Sequence, residues 1–247
     1  MVHCLSFPRI GGRASLIRRR GRSNSTIPET QVRFRLVSFA AGPEAYDRFM
    51  GRYSAPLAPK LADFADVTPG QRVLDVGCGP GALTAVLAER LGAEAVTAVD
   101  PSASFVATAR ERHPGATVEC AAAEQLPFDD REFDAALAEL VVHFMADPAA
   151  GLREMARVTR ARGVVAACVW DHGGGHGPLS VFWDAARKLD PDVRDESQLA
   201  GAHEGHLAQL FTESGIDEVE EASLWIEVGH PTFDDWWEPF LLGVGPA

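Results

Sequence analysis

Residues 72–81 read Arg-Val-Leu-Asp-Val-Gly-Cys-Gly-Pro-Gly, and this stretch decides the fold. Val73, Leu74 and Val76 form the dense apolar run expected of a strand covered on both faces. Gly77, Gly79 and Gly81 then permit a tight turn that brings backbone close to a ligand. From Ala82 through Arg90 the apolar residues recur at helical spacing. A strand, a glycine turn and a helix in succession form the first unit of an open α/β sheet.

Working outward, the same alternation continues. Residues 93–100 (AEAVTAVD) read as a strand, 102–113 as a helix stopped by Pro114 and Gly115, and 116–123 (ATVECAAA) as a strand. Residues 134–144 read as a strand running into a loop, 147–160 as a helix, and 163–171 as a fifth strand. Strands separated by helices at roughly 20–25 residues predict βαβ units and a parallel sheet with helices on both faces. Beyond them come a Gly/His loop at 172–177, helices at 179–189 and 204–214, a sixth strand at 218–230 and a final helix at 233–242. Ahead of the first strand, residues 43–66 have helical spacing that Pro56 and Pro59 divide, predicting two short helices.

In such a sheet ligands bind beyond the carboxyl ends of the strands. The turn also fits GxGxxA (Gly77, Gly79, Ala82), so a dinucleotide must be weighed against other ligands. Asp75 lies inside the strand, where its carboxylate would attract a cationic amino group and repel a pyrophosphate. Pro80 removes one N–H that a pyrophosphate would want. Asp100 ends the next strand, placed to hydrogen-bond ribose hydroxyls. Together these favour a nucleoside with a cationic amino-acid tail. Asp75 and Asp100 as mere helix caps, and Cys78 as a small filler of the turn, are the plainer readings.

VLDVGCGPG, the AVDPS that follows, and AAAEQLPFDDREFD with LREMARVTRARG resemble class I S-adenosylmethionine-dependent methyltransferases of the small-molecule type 11 kind. The resemblance implies a Rossmann-like, doubly wound sheet of order 3-2-1-4-5-7-6 with strand 7 antiparallel, and S-adenosyl-L-methionine as cofactor. It implies that Asp75, Gly77 and Gly79 line the methionine part, that Cys78 and Gly81 belong to the same cofactor-binding turn, and that Asp100 holds the ribose with Pro101 and Ser102 near the adenine. Ala123 and Glu124 would flank the adenine edge, Glu139 would sit beside the methionine moiety, and Tyr46, Arg52 and Tyr53 would form an N-terminal lid. His143, Asp171 and His172 follow the fourth and fifth strands and are candidates for a general base. The family commonly has an acid where this chain has Ala122. It also continues with a helix and a strand after the point where this sequence ends at Ala247, so a truncated domain lacking strand 7 is expected.

Composition narrows the remaining choices. The chain has 247 residues, 46% of them hydrophobic, with a net charge of −12. No run of about 18 apolar residues suggests a transmembrane helix, and no short repeat suggests a collagen-like or solenoid fold. Residues 1–40 hold eight arginines against Glu29, a net +7, which leaves −19 on the rest. The expected organisation is therefore a basic, disordered leader over 1–42 and an acidic methyltransferase domain over 43–247. Within the leader only QVRFRLVSF (31–39) alternates like a strand. The acidic body argues against nucleic acid as partner, and a small-molecule acceptor without membrane attachment is expected. Cys4, Cys78, Cys120 and Cys168 are too scattered for a disulfide framework, pointing to the cytoplasm. The His172/His176 and His203/His206 pairs fall short of a zinc ligand set, so no metal is expected. Two other functions stay open: a cofactor-binding protein without turnover, and a nicotinamide-dependent oxidoreductase.

Overall fold

The computed structural model describes residues 10–20 and 42–242. Its seven strands are β1 (Ile10–Arg20), β2 (Val73–Val76), β3 (Val96–Asp100), β4 (Thr117–Cys120), β5 (Phe133–Glu139), β6 (Thr159–Trp170) and β7 (Val219–Val228). They form one sheet in the order β4-β3-β2-β5-β6-β1-β7. β2 through β6 pair in parallel, whereas β1 runs antiparallel to both β6 and β7.

This order reproduces the expected 3-2-1-4-5-7-6 arrangement, but with a different chain segment in the antiparallel slot. Residues 10–20, expected to be part of a disordered leader, are the sheet's sixth strand in spatial order. Ala14 stands opposite Trp170 of β6 and Leu224 of β7, and Leu16 stands opposite Cys168 and Ala222. Ala14, Ser15, Leu16 and Ile17 are all buried, because both faces of this part of the sheet are covered. The expected division at residue 43 and the missing strand are corrected accordingly: the slot is filled from the N-terminal side. The possible strand at 31–39 and Cys4 lie outside the described residues.

The helices are α1 (Pro43–Tyr46), α2 (Arg52–Phe64), α3 (Ala82–Leu91), α4 (Ala103–Arg112), α5 (Pro148–Val158), α6 (Ser180–Leu189), α7 (His206–Glu213) and α8 (Phe233–Trp237). α1 and α2 are joined by a π-helical turn, Asp47–Gly51, and α2 runs through both prolines instead of breaking at them. Each interior proline costs about 3 kcal/mol. Burial of Tyr53, Leu57 and Leu61 against the sheet, at roughly 1.5–3 kcal/mol per large side chain, is large enough to offset that.

Strand residues alternate between two cores. Leu16, Val73, Ala135, Leu137, Ala166 and Cys168 face α2 and α3. Their neighbours Ile17, Leu74, Ala136, Ala138 and Ala167 face α5 and α7. This two-sided cover leaves β2 and β5 wholly buried and delivers their last residues to one edge. No helix among the described residues is long and apolar enough to cross a membrane.

Candidate functional site

At the carboxyl edge of β2 lies a cavity of about 670 Å³, floored by the glycine turn and roofed by α1, α2 and the segment after β7. Asp75 and Glu139 open onto it. Asp75 is 1% exposed; Thr84 Oγ1 donates to its Oδ2 at 2.7 Å, and its Oδ1 has no partner. Glu139, 9% exposed, leaves Oε1 without a partner as well. Burial pushes the Asp75 carboxyl up to about 7, with the Asp100 carboxylate adding to the effect while Thr84 opposes it. Glu139 rises well above the usual carboxylate range, first through burial and then through Asp75. Two carboxyls that cannot comfortably ionise alone form a site that a cation completes.

The turn between them is shaped by close approach. Gly77 has φ +72°, and a Cβ there would lie 2.1 Å from Val141 Cγ2. At Gly79 a Cβ would meet only Tyr46, at 3.9 Å. The turn's donors are already committed: Gly77 N and Cys78 N donate to the Val99 carbonyl, Gly79 N to Asp100 Oδ2 and Gly81 N to the Cys78 carbonyl. Pro80 has none. A turn with these N–H groups spent is poorly suited to cradling a pyrophosphate, which is bound through such donors.

Asp100 receives Gly79 N at 2.9 Å on one oxygen and Ser102 N at 2.8 Å on the other. A carboxylate offers about four acceptor positions, so it retains capacity toward a ligand. Ser102 caps α4 through Phe105 N, and Pro101 is exposed beside it. Ala123 is buried. Glu124 Oε1 accepts from the backbone N–H groups of Ala146 and Asp147, so this oxygen holds the loop entering α5.

Tyr46 lies over the turn with its ring 5.3 Å from that of Phe105. Burial and the surrounding carboxylates, Glu139 foremost, raise its phenol above the ordinary value. Arg52 lines the cavity but is anchored to the C-terminal side: its Nη1 lies 3.0 Å from His230 Nδ1 and 3.2 Å from Asp235 Oδ2. Tyr53 is a core residue, 3% exposed, in contact with Trp170 and with its hydroxyl 3.3 Å from His230 Nε2.

The three candidate bases part company. The Asp171 carboxylate accepts from Gly174 N and sits 3.0 Å from His176 Nδ1, holding the glycine loop together. His143 and His172 are buried near each other, with ring centroids 6.2 Å apart. None of the three lines the cavity. Thr84, His230 and Asp235 were missed in the sequence. Thr84 carries a usable signal, a hydroxyl in the first turn of the helix that follows Asp75.

Residues 74–167 match the family described as "Methyltransferase domain". An uncharacterized methyltransferase of Mycobacterium tuberculosis is 39% identical over 127 residues, 51% of this chain and 49% of that protein. A malonyl-[acyl-carrier protein] O-methyltransferase of Serratia marcescens is 33% identical over 135 residues, 52% of each chain. The chain thus spans about half the length of these curated relatives. Among solved structures, the complex between the Haloferax volcanii Trm112 methyltransferase activator and the putative methyltransferase matches with a TM-score of 0.52. That match has 21% identity and covers 70% of each chain, a likeness of fold.

Proposed function

We propose that this chain, a member of the class I S-adenosylmethionine-dependent methyltransferases, transfers a methyl group to a small molecule by in-line displacement. The observation that carries the reading is the pair of buried, unpartnered oxygens, Asp75 Oδ1 and Glu139 Oε1, at one cavity. When bound, S-adenosyl-L-methionine supplies a methyl group already activated on a sulfonium.

The chain's residues then bind and align. Asp75 and Glu139 hold the cationic amino-acid end, Asp100 keeps lone pairs for the ribose, and Tyr46 covers the glycine turn. Ala122 offers no side-chain acceptor to an adenine amine, so backbone groups of this segment serve it. Alignment matters most in such a displacement, since positioning alone can lower a barrier by about 7–11 kcal/mol. Neither nucleic acid nor membrane is assigned as a partner. Cys78, Cys120 and Cys168 are all free thiols, in keeping with a cytoplasmic site of action.

Two observations support this over its rivals. The committed N–H groups of the turn count against a nicotinamide dinucleotide. The slot expected to be empty is filled by β1, which removes one ground for a protein without turnover. Calorimetry of the full chain with S-adenosylmethionine, S-adenosylhomocysteine and NAD tests the reading. Binding of the first two is expected, and binding of NAD alone would overturn it.

A further inference from the structure

The roof of the cavity holds a polar cluster of its own. α2 and the segment after β7 come from distant parts of the chain and meet at His230, which is 7% exposed. Arg52 Nη1 lies 3.0 Å from His230 Nδ1, and it donates to the Asp235 carbonyl at 3.0 Å and to Asp235 Oδ2 at 3.2 Å. Arg52 Nε donates to the Arg48 carbonyl at 2.9 Å. Asp235 is fixed in turn by its own N–H, which donates to Thr232 Oγ1. On the other side of the ring, His230 Nε2 stands 3.3 Å from the Tyr53 hydroxyl.

His230 Nδ1 has two neighbours of opposite character, since Asp235 Oδ2 is 3.1 Å away. Bare, this nitrogen accepts from Arg52; protonated, it donates to Asp235 and turns an N–H toward the guanidinium. Asp235 Oδ2 already accepts from Arg52. The bare state therefore matches every contact, with Nε2–H donating to the Tyr53 oxygen. Burial pushes the Tyr53 phenol up to about 12, against the opposing effect of Arg52, so its hydroxyl stays intact.

This clamp occupies Nε and Nη1 of Arg52 and leaves Nη2 without a partner among the described residues. Arg52 lines the cavity, and so does Ser54 of α2. Ser54 is 4% exposed, and its Oγ is buried without a partner. An unmatched hydroxyl costs on the order of 1–3 kcal/mol, which a polar group of a ligand would recover. The cavity thus presents unpartnered donors from α2 together with the unpartnered carboxylate oxygens of Asp75 and Glu139. The carboxyls suit an ammonium group, and a guanidinium with free N–H groups suits a carboxylate. An amino-acid end carries both.

We propose that His230 is a positioning residue for ligand binding: with Nδ1 bare it fixes Arg52, whose free Nη2 binds the carboxylate of the ligand's amino-acid end. This rests on the methyl-transfer reading above. Held at both of its charges, that end cannot swing, which serves the alignment the displacement needs.

The experiment compares S-adenosylmethionine with decarboxylated S-adenosylmethionine, which keeps the ammonium and the sulfonium, by calorimetry on the full chain. Wild type should bind the carboxylate-bearing ligand roughly 10–100-fold more tightly, the worth of one charged hydrogen bond. His230→Ala should remove most of that preference by weakening S-adenosylmethionine alone. His230→Asn, whose amide oxygen can stand where Nδ1 stood, should restore it, and Arg52→Gln should abolish it. Unchanged affinity for the decarboxylated ligand shows that a variant keeps a folded cavity. A wild type without preference, an equal fall for both ligands in His230→Ala, or no fall for either overturns the proposal. Spectra of the ¹⁵N-histidine-labelled chain should show His230 bare at Nδ1 and protonated at Nε2, and a protonated Nδ1 overturns it as well. Failure of wild type to bind either ligand would instead sink the methyl-transfer reading, with the spectra left to judge the bond between His230 and Arg52.

Discussion

Asp75 and Glu139 lie at the carboxyl ends of neighbouring strands on the same face of the sheet, and each keeps one carboxylate oxygen without a partner. Asp75 pairs in register with Leu137, and Glu139 follows two residues later, so the period of the strand aims both toward α2 and α3. Burial raises the pKa of each, and neighbouring like charge adds to it, Asp100 acting on Asp75 and Asp75 acting on Glu139. The arrangement is unfavourable for the free protein and favourable for a complex with a cation.

A proton balance follows from that. With Asp75 at about 7 and Glu139 raised well above its ordinary value, the free site holds protons at neutral pH. A bound ammonium group lowers both values, so binding releases protons, and affinity must rise with pH over about pH 6–8. Calorimetry of S-adenosylhomocysteine in phosphate and in Tris at pH 7 should give heats that differ by the buffers' ionisation enthalpies, with the sign of release. Equal heats would show that the carboxyls are ionised before the ligand arrives.

Asp75→Asn separates binding from stability. In the free protein the raised Asp75 pKa means that its contribution to stability is present below about pH 4 and is lost as pH rises through about 7. The displacement from 3.8 to about 7 corresponds to about 4 kcal/mol against full ionisation, an upper bound. Asparagine keeps an acceptor for Thr84 without the charge. The variant should melt higher than wild type above pH 7 and match it more closely near pH 5. It should also bind S-adenosylhomocysteine roughly 10–100-fold more weakly, the worth of one charged hydrogen bond. Thermal melts at the two pH values, with calorimetry, check both halves.

Gly77→Ala should be damaging for two separable reasons. Alanine is disfavoured at φ +72°, and its Cβ would run into Val141. The backbone part is worth roughly 1–2 kcal/mol. Val141→Ala in the same chain should recover the steric part alone. A double-mutant cycle by denaturant unfolding should therefore show a favourable coupling between the two sites, while the single Val141→Ala change destabilises. Additive effects would mean that the turn shifts away from Val141.

Much of this was legible in the sequence for a physical reason. Val73, Leu74 and Val76 sit in a strand buried on both faces, so nearly every position is apolar and the run reads as one local signal. The glycines and Asp75 follow from the same few residues. Long-range pairings left less trace. Arg52 and His230 meet across 178 residues of chain, and no spacing marks such a pair. Pro56 and Pro59 are strong local signals that predict a division of α2, whereas the burial that overrides them comes from the sheet. β1 was hidden most thoroughly. Its two glycines and four arginines (Gly11, Gly12, Arg13, Arg18, Arg19, Arg20) read as a charged leader, and its partners lie more than 140 residues away.

The clue to β1 was charge complementarity. Arg18 stands opposite Glu220 in the antiparallel register, and its guanidinium pairs with both Glu220 and Asp66 while donating to the Phe64 carbonyl at 2.7 Å. The basic segment and the acidic body meet here, and the pairing ties β1 to α2 and β7 at once. Leu16 and Ile17 are both 0% exposed and point into opposite cores. Ile17→Ala should cost about 2–5 kcal/mol, as other buried truncations do. Removing residues 1–20 should do far more, because it strips β6 and β7 of their shared neighbour and leaves two open strand edges. A leader could be cut away with no change in melting temperature. Here the shortened chain is expected to aggregate or lose its cooperative melt. A truncated protein that melts like the full chain would show that another segment can take the slot between β6 and β7.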